Sequence, residues 1–581
     1  MGHPVNRRPR RPVKEAYPLS CKLPLELDDE LRGAVRVLKT GPKGVTPFHW
    51  ELEFPEAFRL ESSVTSHVGF HALVGNPPFA GVVQLSRAVC EQFPEFLREY
   101  WSGISGQTDL AAFFFRRSFD LLRLGGCLGL LATNTIAQGD TRESGLSVIC
   151  ESGGEIYHVT KRIRWPGRAN VIVSRVHISK GRVVSDPVLS GQQVERISAF
   201  LFHSGGDRNP LPLRKKPCVA GKGIVPWGMG FVFEDGADGP SLREMDAAVA
   251  ANPSCAERIH RFIGGADLNS IPDLTPDRFI IDLDGLSEEE ARKYPELFAI
   301  LERYVRPQRL ALPNTSANRR LRERWWHYSQ GREIREATRH LDRVLLCSQT
   351  SKRRAFAFVD GSWIFDQKAI GFACSEYAFF AVMQSRPHEI WSDFFGSTMK
   401  DDPVYTPPKC FDTFPFPDGW RSDASLNDVG KTYYEFRAGF MVNNDAGLTE
   451  TYNRFHNPRE NDSAILKLRE LHDEIDAAVS RAYGWAGPRP QLDFIPDYED
   501  EANQDQDGRE GKKQWRYRWV DDDRDVILAR LLELNRTRAE EEANSPPTAA
   551  EAKTPAKRGT KPNKRAPVAS PSLFEVQEPT E

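Results

Sequence analysis

The tightest constraint in this chain is one passage, Val74-Gly75-Asn76-Pro77-Pro78-Phe79. An apolar run, His71-Ala72-Leu73-Val74, leads into it. A short apolar run closed by turn residues reads as a buried strand that delivers a loop at its carboxyl end. Each proline fixes φ, lacks an N–H and restricts the residue before it, so the loop has few conformations. Open α/β sheets place their ligand sites at that end of the strands. The passage therefore predicts a rigid loop with the Asn76 amide and the Pro77 carbonyl aimed at one spot, and Phe79 as a wall.

That arrangement answers a specific chemical problem. An amino group conjugated to a heteroaromatic ring is a poor nucleophile, because its lone pair is delocalised. Two fixed acceptors on its N–H bonds favour a pyramidal nitrogen and free the pair, by positioning and preorganised electrostatics. An aromatic ring beside them can stack on a base taken out of a duplex. The bland alternative is a proline-rich turn without chemistry, a risk every short motif carries.

The 581 residues have room for roughly three or four domains. With 40% hydrophobic residues, packed cores are possible over most of the chain, and with net charge -3 any nucleic-acid face must be local. The nine cysteines form no CxxC pair, so neither a metal site nor a disulfide framework is expected. No apolar run reaches bilayer length and Met1-Gly2-His3 opens no signal peptide, which predicts a soluble cytoplasmic protein.

Downstream, Thr108 or Asp109 can cap a helix through Leu110, Phe113, Phe114, Phe119, Leu121 and Leu122, stopped by Gly125-Gly126. Cys127–Ala132 is then a buried strand ending at Thr133-Asn134-Thr135. Strand, helix and strand make a right-handed βαβ unit of a parallel sheet. Further strands are expected at 155–159 and 170–178, with Arg162–Gly167 between them.

Taken together, these residues resemble the N6-adenine DNA methyltransferases. Within that class they look like the methyltransferase part of large restriction-modification and phage-defence enzymes that fuse catalysis with target recognition. The resemblance rests on Asn76–Phe79, Phe48-His49-Trp50 with Phe54-Pro55-Glu56, Leu121–Gly126, Ala132–Asn134, and Trp165 with Gly167. It covers most of 45–180 and resumes after 400, at Tyr405-Thr406-Pro407, Phe414-Pro415-Phe416-Pro417 and Leu448–His456. It implies an α/β fold: a partial Rossmann-like class I methyltransferase sheet, a mixed α/β target recognition domain and a C-terminal helical region. It implies S-adenosyl-L-methionine as methyl donor and double-stranded DNA as substrate. Asn76 and Pro77 would accept from the target amino group, Pro78 would stiffen the loop and Phe79 would stack. By position, Asp109 and Phe113 would line the cofactor adenine, and Trp165 would be a second wall for the base.

The family's cofactor motif, an Asp-Pro-x-x-Gly-x-Gly-like loop upstream of the catalytic loop, has no counterpart here. The 75 residues before Asn76 contain only Thr40-Gly41-Pro42-Lys43-Gly44. They are too few for three strands with their crossovers, each of which needs about 10–12 residues or more. His71 also stands where relatives often carry aspartate. The strand ending at Val74 should therefore present an unpaired edge. A second chain supplying the cofactor loop is expected; a truncated gene is the alternative.

Residues 1–44 read as a basic, disordered leader, 45–185 as the catalytic half, 186–420 as the recognition domain, 421–545 as helical and 546–581 as a disordered tail. In the recognition domain the densest basic and aromatic cluster is Arg319, Arg320, Arg322, Arg324, Trp325, Trp326, His327 and Tyr328, followed by Lys352, Arg353 and Arg354. Arginines to phosphates and planar side chains near bases would make a DNA face, and core aromatics on a solvated helix are the equal alternative. The proline-dense stretch 401–417 is expected to be an irregular connector pinned by phenylalanines. No nuclease constellation stands out. Two rival functions remain: a non-catalytic DNA-specificity subunit, and a protein glutamine methyltransferase. The latter is disfavoured by the roughly 400 residues after the catalytic half.

Overall fold

The computed structural model describes residues 33, 36, 39, 40, 48–58, 68–78, 93–101, 104, 108–164, 172–181, 186–236, 238–399, 402–496 and 515–545. These form two compact units. One holds the described residues through Ile163 and Val173–Asp186; the other holds the remainder. Most of the basic leader and all of the tail expected from 546 lie outside the described residues.

In the first unit the apolar run becomes strand β1 (Phe70–Gly75). It pairs in parallel with β2 (Leu122–Thr133), reached through helix α1 (Leu110–Leu121). Asp109 caps α1 by accepting from the Ala111 N–H at 2.9 Å, and Thr108 instead meets the Ser144 hydroxyl. Strands β3 (Gly154–Arg164) and β4 (Ile172–Lys180) follow, and the sheet runs in the order β1-β2-β4-β3 with β4 antiparallel to β2. Leu128, Leu130 and Ala132 of β2 alternate into the core, where Phe115 and Phe119 of α1 are also buried. Each of the leucines and phenylalanines contributes about 1.5–3 kcal/mol by leaving water.

Gly125-Gly126 does not stop the helix. The helix already ends at Leu121, and the glycines lie inside β2, where the register jumps from Phe70↔Leu122 to Ala72↔Cys127. Leu121 and Leu122 are drawn into the core, so the chain turns early and the surplus residues bulge out of the ladder. Gly125 takes φ +76, and a Cβ on Gly126 would come within 2.7 Å of the Phe70 carbonyl.

The second unit contains two four-stranded sheets. Its strands are β5 (Ala220–Lys222), β6 (Val232–Phe233), β7 (Ile259–Ile263), β8 (Phe279–Ile281), β9 (Arg343–Ser348), β10 (Phe356–Asp360), β11 (Ile364–Phe365) and β12 (Ala369–Phe372). The orders are β11-β7-β8-β6 and β10-β9-β12-β5. Short helices α2 (Arg306–Leu310) and α3 (Arg319–Glu323) join the first sheet's layer; α4 (Tyr377–Gln384), α5 (Ala424–Asn443), α6 (Ser463–Ala482) and α7 (Asp521–Asn544) pack with the second.

The helical region read as separate from 421 onward shares one core with the strands before it. Leu345, Phe356 and Phe372 cluster with Leu426, Tyr433, Leu468, Ile475 and Leu528. Buried Arg437 of α5 ties the two together, donating to the Phe356 carbonyl at 2.5 Å and the Tyr452 hydroxyl at 3.0 Å. The connector is pinned as expected, with Tyr405, Phe411, Phe414 and Phe416 buried, but it is not wholly irregular. Pro407–Cys410 forms a helical turn, because prolines at its first two positions have no N–H to lose there.

Candidate active site and nucleic-acid interface

β1 ends at Gly75, so Asn76 leaves from the carboxyl end of a strand in a partly parallel sheet. Gly75 is paired with Leu130, and β2 continues beyond that point to Thr133. Asn76 is exposed, Pro77 is buried and Pro78 is exposed. A buried proline between two exposed residues anchors the loop while leaving the Asn76 amide facing solvent. Phe79 lies outside the described residues, as does Trp165. The adjacent strand end is closed by short polar contacts: Ser174 donates to Asn134 Oδ1 at 3.1 Å, and the Thr133 and Thr135 hydroxyls meet at 2.7 Å.

The row beside Val74 shows why the sheet is so tight here. Val74 pairs with Gly129, and Gly129 pairs with His177. A Cβ on Gly129 would meet the His177 ring at 2.8 Å. The His177 ring stacks on His158 with centroids 5.1 Å apart, and burial holds its pKa below the ordinary imidazole value. Lys180 donates to the Leu122 carbonyl at 2.8 Å and the Asp120 carbonyl at 3.2 Å, pinning β4 to the end of α1. Burial lowers the Lys180 pKa and raises that of the Asp120 carboxyl.

The two residues expected to line the cofactor adenine are committed elsewhere. Asp109 turns its carboxylate to its own helix terminus, and Phe113 is buried in a small cluster with Leu97 and Trp101. In this unit the two positions serve helix capping and packing. His472, Asp473 and Asp476 also converge, to within 4.8 Å of one another, but the cation they face is Arg386.

The basic cluster in the second unit divides by residue type. Arg319, Arg320 and Arg324 are exposed and Arg322 is half-buried. Trp325 and Trp326 are buried beside Phe298, and the Trp326 indole N–H donates to the Leu286 carbonyl at 3.0 Å. Their expected part in a DNA face is therefore corrected: these indoles fill the core under the first sheet, and only the arginines reach the surface. Sequence spacing could not separate the two, since four arginines and two tryptophans spread over eight residues, about two turns, point in every direction. Trp227 also reaches solvent here, and it lies in a loop sequence that gave no helical or strand pattern.

With this geometry in view, comparison with known proteins is informative. Residues 30–149 match the family Eco57I restriction-modification methylase, and residues 240–418 match the family MmeI, target recognition domain. No curated protein matches the chain. Among solved structures, the type IIL restriction-modification enzyme MmeI, solved in complex with DNA, has the same fold at TM-score 0.50 and 19% identity. The match covers 81% of this chain and 57% of MmeI, so this chain spans little more than half the length of that enzyme. The type IIG restriction endonuclease BpuSI is a remoter match at TM-score 0.26 and 10% identity, over 71% of this chain and 54% of that one. Among the described residues no helix is long and apolar enough to cross a membrane. The chain is thus similar to a restriction-modification methylase of the Eco57I kind over 30–149 and to a target recognition domain of the MmeI kind over 240–418.

Proposed function

We propose that this chain is the base-handling half of a DNA adenine-N6 methyltransferase, acting in restriction-modification or phage defence, and that a second polypeptide carries the cofactor half. The observation that carries this reading is the state of β1. It stands at the end of the sheet, with Val74 89% exposed and His71 and Ala72 exposed beside it. Among the described residues nothing pairs with its outer edge. A parallel strand flanked by crossovers ordinarily lies inside its sheet, and an apolar edge is a template for another strand.

In this reading Asn76 Oδ1 and the Pro77 carbonyl accept the two amino hydrogens of an adenine turned out of the duplex. The nitrogen lone pair is thereby released from the ring, and Pro78 keeps the acceptors from drifting apart. Phe79 stacks on the base. S-adenosyl-L-methionine, bound by the complementing polypeptide, supplies the methyl group. The arginines of α3 hold phosphates.

The test is to purify this chain alone and together with the product of the neighbouring gene, and to measure S-adenosyl-L-methionine binding by calorimetry. Binding by the pair and not by the lone chain is expected. Tight binding by the lone chain would sink the split-site reading. The second reading, a DNA-specificity subunit without catalysis, is favoured by Asp109 and Phe113 being engaged in helix capping and packing. It predicts DNA binding by the pair with no methyl transfer to adenine.

A further inference from the structure

We propose that Trp227 and Met229 form a wedge that contacts nucleobases of double-stranded DNA, with the exposed arginines of α3 taking the flanking phosphates; this rests on the DNA-binding reading above. Trp227 is 40% exposed and Met229 47%, whereas Trp325 and Trp326 are buried. The nearby Leu310 at the end of α2 is 45% exposed.

The loop that presents them is held, not slack. Arg309 of α2 is fully buried, and its guanidinium donates to the Pro226 carbonyl at 2.5 Å, to the Trp227 carbonyl at 3.0 and 3.1 Å, and to the His327 carbonyl at 2.7 Å. Burial lowers the Arg309 pKa to about 10, with the Arg320 charge adding to the effect. The glycines on either side of Met229 let the loop lie on the chain beneath it. A Cβ on Gly228 would meet Val305 at 3.1 Å, and one on Gly230 would meet Tyr304 at 2.4 Å. Trp227 itself takes φ +49, a conformation that bulky side chains rarely adopt. Such strain persists only where the surroundings impose it, and it collects at ligand contacts. A large apolar ring displayed at the surface on a preformed loop loses little freedom when it binds.

Charge selects the occupant. α3 and the residue after it carry Arg319, Arg320, Arg322 and Arg324 against one carboxylate, Glu323, in a chain of net charge -3. Arg322 donates to the carbonyls of Leu310 and Leu312 at 2.6 and 2.5 Å, which fixes α3 to the end of α2 beside the Trp227 loop. Arg320 donates to the carbonyls of Tyr328 and Ser329. Carbonyl partners orient these side chains and leave their positive charge in place. An apolar tip bordered by fixed cations suits a polyanion with stacked planar groups: wedge residues enter base steps while arginines take phosphates.

The experiment measures binding of a fluorescent duplex by the full chain, with its complementing polypeptide, over a range of salt. Trp227→Gly removes both the ring and the left-handed strain, so its melting temperature should not fall, while affinity drops by roughly 10- to 100-fold, the size of a lost base contact. Trp227→Phe should keep affinity within about threefold of wild type, as expected of a stacking contact. Arg319→Ala with Arg324→Ala should reduce the slope of log affinity against log salt by about 2. Wild-type affinity in Trp227→Gly, in a chain that binds DNA, overturns this inference alone. Failure of the wild type to bind any duplex overturns the DNA-binding reading and this inference with it.

Discussion

Val74 is paired with Gly129 in parallel register on one side of β1, and presents 89% of its surface to solvent. A valine on the edge strand of this sheet is thus almost fully open to solvent. An exposed apolar strand edge is a template for a further strand.

Val74→Lys should therefore act on assembly and not on the chain itself. An exposed position outside any network changes stability by less than about 0.5 kcal/mol, while an edge lysine blocks strand addition. Expected is an unchanged urea midpoint for the lone chain, with loss of cofactor binding when the neighbouring gene product is added. Co-elution and S-adenosyl-L-methionine binding as in wild type would remove β1 from the interface.

Asn76→Ala should abolish methyl transfer by the reconstituted pair without weakening DNA binding. Removing one preorganised acceptor costs on the order of 10²–10³ in rate. Because Asn76 is exposed, the melting temperature should hold. Transfer of labelled methyl to an adenine-containing duplex, measured beside duplex affinity, checks both halves; an unchanged rate would exclude Asn76 from the mechanism.

Gly126→Ala should destabilise the first unit by about 1–3 kcal/mol, the usual cost of forcing atoms into a filled site. Its Cβ would press on the Phe70 carbonyl at 2.7 Å, and backbone cannot swing away as a side-chain tip can. Gly125→Ala would also be strained, through φ +76, but meets nothing within 4 Å. A larger loss for Gly126 than for Gly125 in chemical denaturation is the expected order.

The second unit should lose stability on mild acidification. Burial keeps His456 neutral, with Arg353, Arg516 and Arg386 adding to the effect, and burial lowers the His388 pKa to about 3. His388 Nδ1 lies 2.8 Å from the Met383 carbonyl and Nε2 lies 3.0 Å from the Tyr405 hydroxyl, a donor and acceptor pair suited to neutral imidazole. Both folded values lie below the unfolded value of about 6.5. The unfolded chain then binds protons that the folded one refuses. Stability is fully present above about pH 6.5 and falls below it, by about 1.4 kcal/mol per pH unit for each histidine. Denaturation midpoints between pH 7.5 and 5 measure this, and His388→Asn should flatten the slope.

Asp476→Ala should cost about 3–5 kcal/mol, since it strands a buried arginine. Asp476 accepts from both the side chain and the backbone N–H of Arg386, which is 1% exposed. Burial pushes the Asp476 pKa up, but the Arg386 charge and the hydrogen bonds from His472 and the Arg386 backbone together outweigh it, and the net value is lowered. The pair's contribution is thus complete above the unfolded aspartate value and fades as acid reaches the folded one. Replacing Arg386 with Met alongside Asp476→Ala should recover part of the loss.

The sequence by itself determined what is local. The apolar run, two prolines and the periodic helices dictate β1, its rigid exit loop, α1 and the long helices α5 and α6, because backbone preference and side-chain period act within a few residues. Tertiary packing decided the rest. It drew Leu121 and Leu122 inward and turned Gly125-Gly126 from a helix stop into a bulge. It merged the expected recognition and helical regions around one core, since Arg437 and Tyr434 reach back to the strand Phe356–Asp360. Above all it sorted the Arg319–Trp326 cluster, sending the indoles inward and the arginines out, and raised Trp227 from a featureless loop. Spacing along a short, irregular segment does not say which way a side chain points; only the surfaces it packs against do.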